Sequence, residues 1–177
     1  FISYPFEWSF SQLKDAALLT LEIQKMALRH GMTLKDASAY NIQFSNGKPI
    51  FIDTLSFEKY LLGRPWKAYR QFCQHFLAPL ALMRYTDIQL SQLSRIFLDG
   101  VPLDTARRLL PAHAKLTPTI FLHIILQSKA QSMKAADHRP MTRSMPKQHL
   151  EALITGLSSS INSLTAPRPK TEWGDYY

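Results

Sequence analysis

Leu34-Lys35-Asp36-Ala37-Ser38-Ala39-Tyr40-Asn41, followed by Ile50-Phe51-Ile52-Asp53, is the stretch on which the fold of this chain turns. Asp36 and Asn41 stand five positions apart in a segment that the pattern predicts to be a loop. A hairpin is expected next, with Ile42-Gln43-Phe44 as its first strand and Pro49 to Asp53 as its second. Asn46-Gly47 between two apolar runs is a strong two-residue turn signal, because both positions of that turn need positive φ. The hairpin brings Asp53 back to the neighbourhood of Asn41, and Asp36 hangs from the same loop. Two carboxylates and one amide, all hard oxygen donors, then converge. Magnesium held against phosphate needs that donor set.

Outward from this stretch the chain reads as helices. Ser9-Phe10-Ser11-Gln12 is a capping box, and a helix should run from there to about His30, with Gly31 as its terminator. Leu13, Ala16, Ala17, Thr20, Leu21, Met26 and Ala27 are its expected core face. Residues 54–60 read as a connector with little regular structure, and Glu58 is a further acid beside the loop. Trp66 to about Arg84 predicts a second helix, kinked or broken at Pro79. Thr86 or Asp87 caps a helix through Phe97, and Leu103 to Leu110 forms a short one ended by Pro111. Thr117-Pro118 starts another, with Ile120, Phe121, Ile124, Ile125 and Leu126 expected to be buried. A last amphipathic helix runs from Pro146 or Lys147 to about Leu164. His30, His75, His113 and His123 lack the neighbours that would make them metal ligands.

Composition narrows the classes. The 177 residues carry 46% hydrophobic and 19% charged residues, ordinary for a globular domain. Cys73 is the single cysteine, which excludes a disulfide framework and a cysteine zinc cage, and fits a cytoplasmic setting. No apolar run approaches the about 20 residues that cross a membrane, and no signal-peptide pattern is present. A first residue of Phe1 is expected of a piece of a longer chain. The net charge of +8 is dispersed, with Arg107-Arg108 the one adjacent Lys/Arg pair, so a nucleic-acid partner is not expected. A surface or cleft friendly to nucleotides is.

Asp-x-x-x-x-Asn, a hairpin and an apolar run ending in Asp together resemble the catalytic loop and metal-binding Asp of protein-kinase-like folds. The resemblance implies that Asp36 positions an acceptor hydroxyl and takes its proton, while Asn41 and Asp53 hold magnesium on ATP. Two positions depart from the pattern: Lys35 replaces the usual Arg or Gly, and Thr54-Leu55 replaces the usual Phe-Gly. The implied fold class is mainly α (α+β), the helical C-terminal lobe of a kinase-like fold with one small β-hairpin. No Gly-x-Gly occurs among the 6 glycines, and no smaller sheet lobe is visible, so this stretch by itself is not expected to turn over.

Ser3-Tyr4-Pro5-Phe6-Glu7-Trp8-Ser9-Phe10, Leu34-Lys35-Asp36, Phe51-Ile52-Asp53, Ser56-Phe57-Glu58 and Tyr69-Arg70-Gln71-Phe72-Cys73 resemble a bacterial family related to the NoeA-type nodulation proteins. These are usually labelled SAM-dependent methyltransferases, and a region like this one precedes their methyltransferase domain. The chain then divides into a hinge-like segment at 1–8, a lobe at 9–164 that the kinase-like resemblance implies, with a polar, proline-broken stretch at about 134–146 expected to be a mobile loop, and a proline-containing linker expected at 165–177. S-adenosylmethionine is then expected only in a domain that follows. Two functions are implied. One is phosphoryl transfer to a small-molecule or glycan hydroxyl. The other is an inactive, pseudokinase-like scaffold presenting substrate or partners to the adjoining methyltransferase. Apolar surface left for a second lobe would also favour a homodimer.

Overall fold

The computed structural model describes residues 2–128 and 144–167. The chain is mainly helical, with two short antiparallel ladders. The Ser9 Oγ accepts a hydrogen bond from the Gln12 N–H, and the Gln12 Oε1 accepts one from the Ser9 N–H, so the expected capping box starts α1 (Phe10–Arg29). Gly31 follows the helix at a φ of +69°. The buried face of α1 is Leu13, Ala16, Ala17, Thr20, Leu21, Gln24, Ala27 and Leu28. That is the i, i+3, i+4 stripe of a core-facing helix. Met26 is off this stripe and exposed, whereas the polar Gln24 is on it.

The hairpin forms as the sequence predicts. β2 (Ile42–Ser45) pairs with β3 (Lys48–Phe51), and Asn46 and Gly47 take φ of +51° and +75°. A second ladder lies where the sequence reads a connector. β1 (Met32–Leu34) pairs with β4 (Phe57–Lys59), after a 3₁₀ turn at Thr54–Ser56. Strands this short give little sequence signal, and their pairing is fixed by chain reversal between them. The segment before α1 is a 3₁₀ turn, Pro5–Glu7, rather than extended chain. It is pinned to the hairpin by a reciprocal amide pair: the Ser3 N–H donates to Gln43 Oε1, and Gln43 Nε2 donates to the Ser3 carbonyl.

The second helix does not break at Pro79. α2 (Tyr69–Phe72) widens into a π turn, Cys73–Leu77, and continues as α3 (Ala78–Tyr85). The Ala78 N–H reaches five residues back to Cys73, and this wider turn makes room where a proline ring would otherwise strike a carbonyl. Phe72 and Phe76 from this segment are fully buried, their rings 5.2 Å apart. Asp87 caps a 3₁₀ turn that leads into α4 (Leu93–Ile96). α5 (Leu103–Leu109) and α6 (Ala112–Lys115) follow. α7 (Pro118–Ile120) runs into a second π turn, Phe121–Ile125. That turn shifts the core face, so His123, Ile124 and Ile125 are buried while Phe121 and Leu126 are exposed, against the sequence expectation. α8 (Lys147–Ser163) packs along α1 through Leu150, Ile154, Leu157 and Ile161. Lys14 on α1 donates to the carbonyls of Asn162 and Leu164, closing the C-terminal end of α8. Residues 134–143 of the expected mobile loop and 168–177 of the expected linker lie outside the described residues. No described helix is long and apolar enough to cross a membrane.

Gly100 carries a sharp constraint. Its φ is +91°, and a Cβ there would stand 2.7 Å from Gln74 Cβ and 3.0 Å from the Gln74 carbonyl carbon. The Val101 N–H donates to that same Gln74 carbonyl, so neither chain can retreat freely. Gly100→Ala should cost about 2 kcal/mol or more in urea unfolding. Gly47→Ala, with positive φ but open space around it, should cost about 1 kcal/mol.

Candidate functional site

The loop between β1 and β2 is held by side chains from three directions. Gln24 of α1 accepts from the Leu34 N–H at 2.7 Å, and its Nε2 donates to Thr33 Oγ1. Trp66 Nε1 donates to the Leu34 carbonyl at 2.9 Å. Gln71 of α2 accepts from the Ala37 N–H at 2.8 Å. The Lys35 N–H donates to the Ser56 carbonyl, which ties the loop to the 3₁₀ turn after Asp53. A loop whose backbone groups are buried needs such partners, because each unpaired group costs as much as a lost hydrogen bond.

Asn41 and Asp53 come together as the sequence expects. The Asn41 Nδ2 donates to Ser56 Oγ at 2.9 Å, and the Ser56 hydroxyl donates to Asp53 Oδ2 at 2.6 Å. The Ile52 N–H also donates to the Asn41 carbonyl, joining the strand before Asp53 to the loop. Asn41 Nδ2 is turned to Ser56, and Oδ1 is the side chain's one acceptor. Asp53 caps the 3₁₀ turn through its other oxygen, which accepts from the Leu55 N–H at 2.9 Å. The Ser56 hydroxyl and then the Leu55 amide hold its carboxyl below the usual aspartate range; desolvation opposes them, by more than the nearby Lys35 charge adds.

Asp36 sits on the same loop but joins neither partner by a hydrogen bond. Its Oδ1 accepts from the Ser38 N–H at 2.8 Å, closing an Asx turn. Beneath it lies His75, which burial pushes down to about 4 while the charges of Asp36 and Asp99 pull the other way. His75 is therefore neutral near pH 7. Its ring meets Tyr40 edge-on, with centroids 6.3 Å apart, and the Tyr40 hydroxyl is buried without a hydrogen-bond partner among the described residues. Among the described residues no three His, Cys, Asp or Glu side chains cluster as metal ligands, so a cation here would rest on Asp53, the Asn41 amide and water or phosphate oxygens.

Sequence reasoning finds the three polar residues but misses their supports. Ser56 and Gln71 lie in stretches that carry the family resemblance, but neither they nor Gln24 show by spacing that they support the loop. Gln24 does leave one signal: a polar residue on the apolar stripe of α1. Glu58 is on β4 and faces Lys67 at 3.9 Å, apart from the triad's hydrogen bonds.

The fold and this loop define a mainly helical α+β protein with a preformed, oxygen-rich loop clamped between two ladders. No protein-family model and no solved structure matches it. The chain is 39% identical over 168 residues to nodulation protein NoeA of Rhizobium meliloti (strain 1021). The match takes in 92% of this chain and 35% of that protein, so the chain is NoeA-related and spans about a third of its relative's length.

Two expectations follow. Gln24→Leu should leave the Leu34 N–H buried and unpaired, lowering unfolding free energy by about 1–3 kcal/mol in denaturant titration. Ser56→Ala should raise the Asp53 pKa, read by carboxyl-carbon NMR against pH. The sign follows from linkage. The depressed Asp53 pKa stabilises the fold above the unfolded aspartate value, and this is lost as pH falls through the folded value. The variant should therefore lose less stability than the parent over that acid range.

Proposed function

We propose that Asp36, Asn41 and Asp53 form the magnesium-nucleotide site of a kinase-like helical lobe, within a protein that transfers a phosphoryl group to a small-molecule or glycan hydroxyl. The observation that carries this reading is the hydrogen-bonded run from Asn41 through Ser56 to Asp53. It sets an amide and a low-pKa carboxylate side by side at the base of a hairpin. Asp53 and the Asn41 Oδ1 would hold magnesium. Magnesium, when bound, supplies the positive charge that offsets the phosphate oxygens. Asp36, fixed by its Asx turn, orients the acceptor hydroxyl and takes its proton as the nucleophile forms. Lys35 adds a positive charge beside Asp53 and suits a phosphate neighbour. The Gln24, Trp66 and Gln71 anchors hold the loop in place before any ligand arrives, which is what transfer by positioning requires.

A second reading has its own observation. Both oxygens of Asp53 and one of Asp36 already accept hydrogen bonds from their own turns. A pseudokinase-like scaffold that presents substrate or partners to an adjoining SAM-dependent methyltransferase would keep such local bonds and need no magnesium. Thr54-Leu55 after Asp53 favours it too.

Calorimetric titration of ATP into the full-length protein, with and without magnesium, separates the two. The first reading expects magnesium-dependent binding that Asp53→Asn abolishes. Absence of binding at millimolar nucleotide would leave the scaffold.

A further inference from the structure

The β1–β4 ladder that anchors the loop also walls a cavity of about 360 Å³, outside the triad's own side chains. Thr33 and Glu58, cross-strand partners, lie in the wall, and Tyr60, Leu61 and Pro65 give it an apolar lining. Three cations border the same space: Lys59, Arg64 and Lys67. Glu58 is the one acid among the lining residues. Its pairing with Lys67 is 3.9 Å long, with Lys67 71% exposed, and so leaves most of that positive charge uncompensated. Lys59 and Arg64 make no salt bridge among the described residues.

The cavity wall is built by ordered backbone. The Tyr60 N–H donates to the Gly31 carbonyl, the Arg64 N–H to Leu61, and the Met145 N–H to Gly63, whose φ of +81° makes the turn. Tyr60 is 8% exposed, and its hydroxyl is buried with no hydrogen-bond partner among the described residues.

We infer that this cavity binds a small oxyanion, a phosphate or carboxylate carried on a sugar-sized body. The three cations meet the charge, and the lining of Tyr60, Leu61 and Pro65 meets the body. The cavity is sized for a small molecule rather than a polymer. Its role as the acceptor site rests on the phosphoryl-transfer reading above. Thr33 lies on β1, which leads directly into the loop that carries Asp36. On that reading, an acceptor anchored here by its anion sits against the strand from which the Asp36 loop departs.

The test is calorimetric titration of glucose 6-phosphate, glucuronate, inorganic phosphate and glucose, and separately of ATP with magnesium, into the full chain and the Arg64→Glu variant, each checked for fold by circular dichroism. The inference expects at least one sugar anion to bind, glucose not to, and Arg64→Glu to weaken binding about tenfold or more, the loss of a charge-assisted contact. Which anion binds tells phosphate from carboxylate recognition, and phosphate alone should bind more weakly than the sugar phosphate. Sugar-anion binding by a full chain that shows no magnesium-dependent ATP binding would overturn only the phosphoryl-transfer reading. No sugar anion bound at millimolar concentration, equal binding of glucose, or indifference to Arg64→Glu would overturn the cavity's assignment.

Discussion

The buried carboxamide of Gln24 is the constraint on which the rest depends. It stands on the core stripe of α1 and takes the Leu34 N–H that no strand partner can take. Trp66 takes the Leu34 carbonyl on the other side. Leu34 itself is fully buried, so β1 is fixed in place by both backbone polarity and packing. Once β1 is fixed, the direction of the following loop is fixed, and with it Asp36. A polar side chain in an apolar helix face is costly unless fully bonded, and Gln24 is bonded through both its oxygen and its nitrogen.

From that anchor the two ladders do complementary work. The hairpin β2–β3 returns the chain so that Ile52 bonds the Asn41 carbonyl. The β1–β4 ladder then carries the chain back beside Leu34, so that the turn at Thr54–Ser56 lies over the loop. Ser56 is the hinge-pin of this arrangement. Its carbonyl holds the Lys35 amide, its hydroxyl links Asn41 to Asp53, and it is 1% exposed. The site is thus a product of chain reversal rather than of any one motif, and its oxygens are fixed by bonds to turns of their own.

The legible part of this fold was the part written in local chemistry. Ser9 with Gln12, Gly31, Asn46-Gly47 and Asp87 each act through neighbours within a few residues, and each does what its type predicts. The approach of Asp53 to Asn41 was legible for the same reason, since a two-residue turn dictates it. The β1–β4 ladder was not legible, because three-residue strands 25 positions apart pair through tertiary context. Pro79 reads as a breaker because a straight α-helix cannot hold it, yet a π turn can, and no single-residue preference announces a π turn. Ser56, Gln71 and Trp66 were invisible as site residues because their roles lie in bonds to backbone across the fold. The similarity to NoeA covers 92% of the chain, so it is not confined to the motifs that first suggest it.

The most direct test of the account is manganese titration followed by paramagnetic broadening of backbone amide signals, since manganese takes the same oxygen donors as magnesium. Signals around Asn41 and those from Asp53 to Ser56 should broaden together at the lowest manganese concentrations, and Asp53→Asn should remove the effect. Broadening confined to other acidic residues, or none in the two segments at millimolar manganese, would contradict a single cation-holding loop.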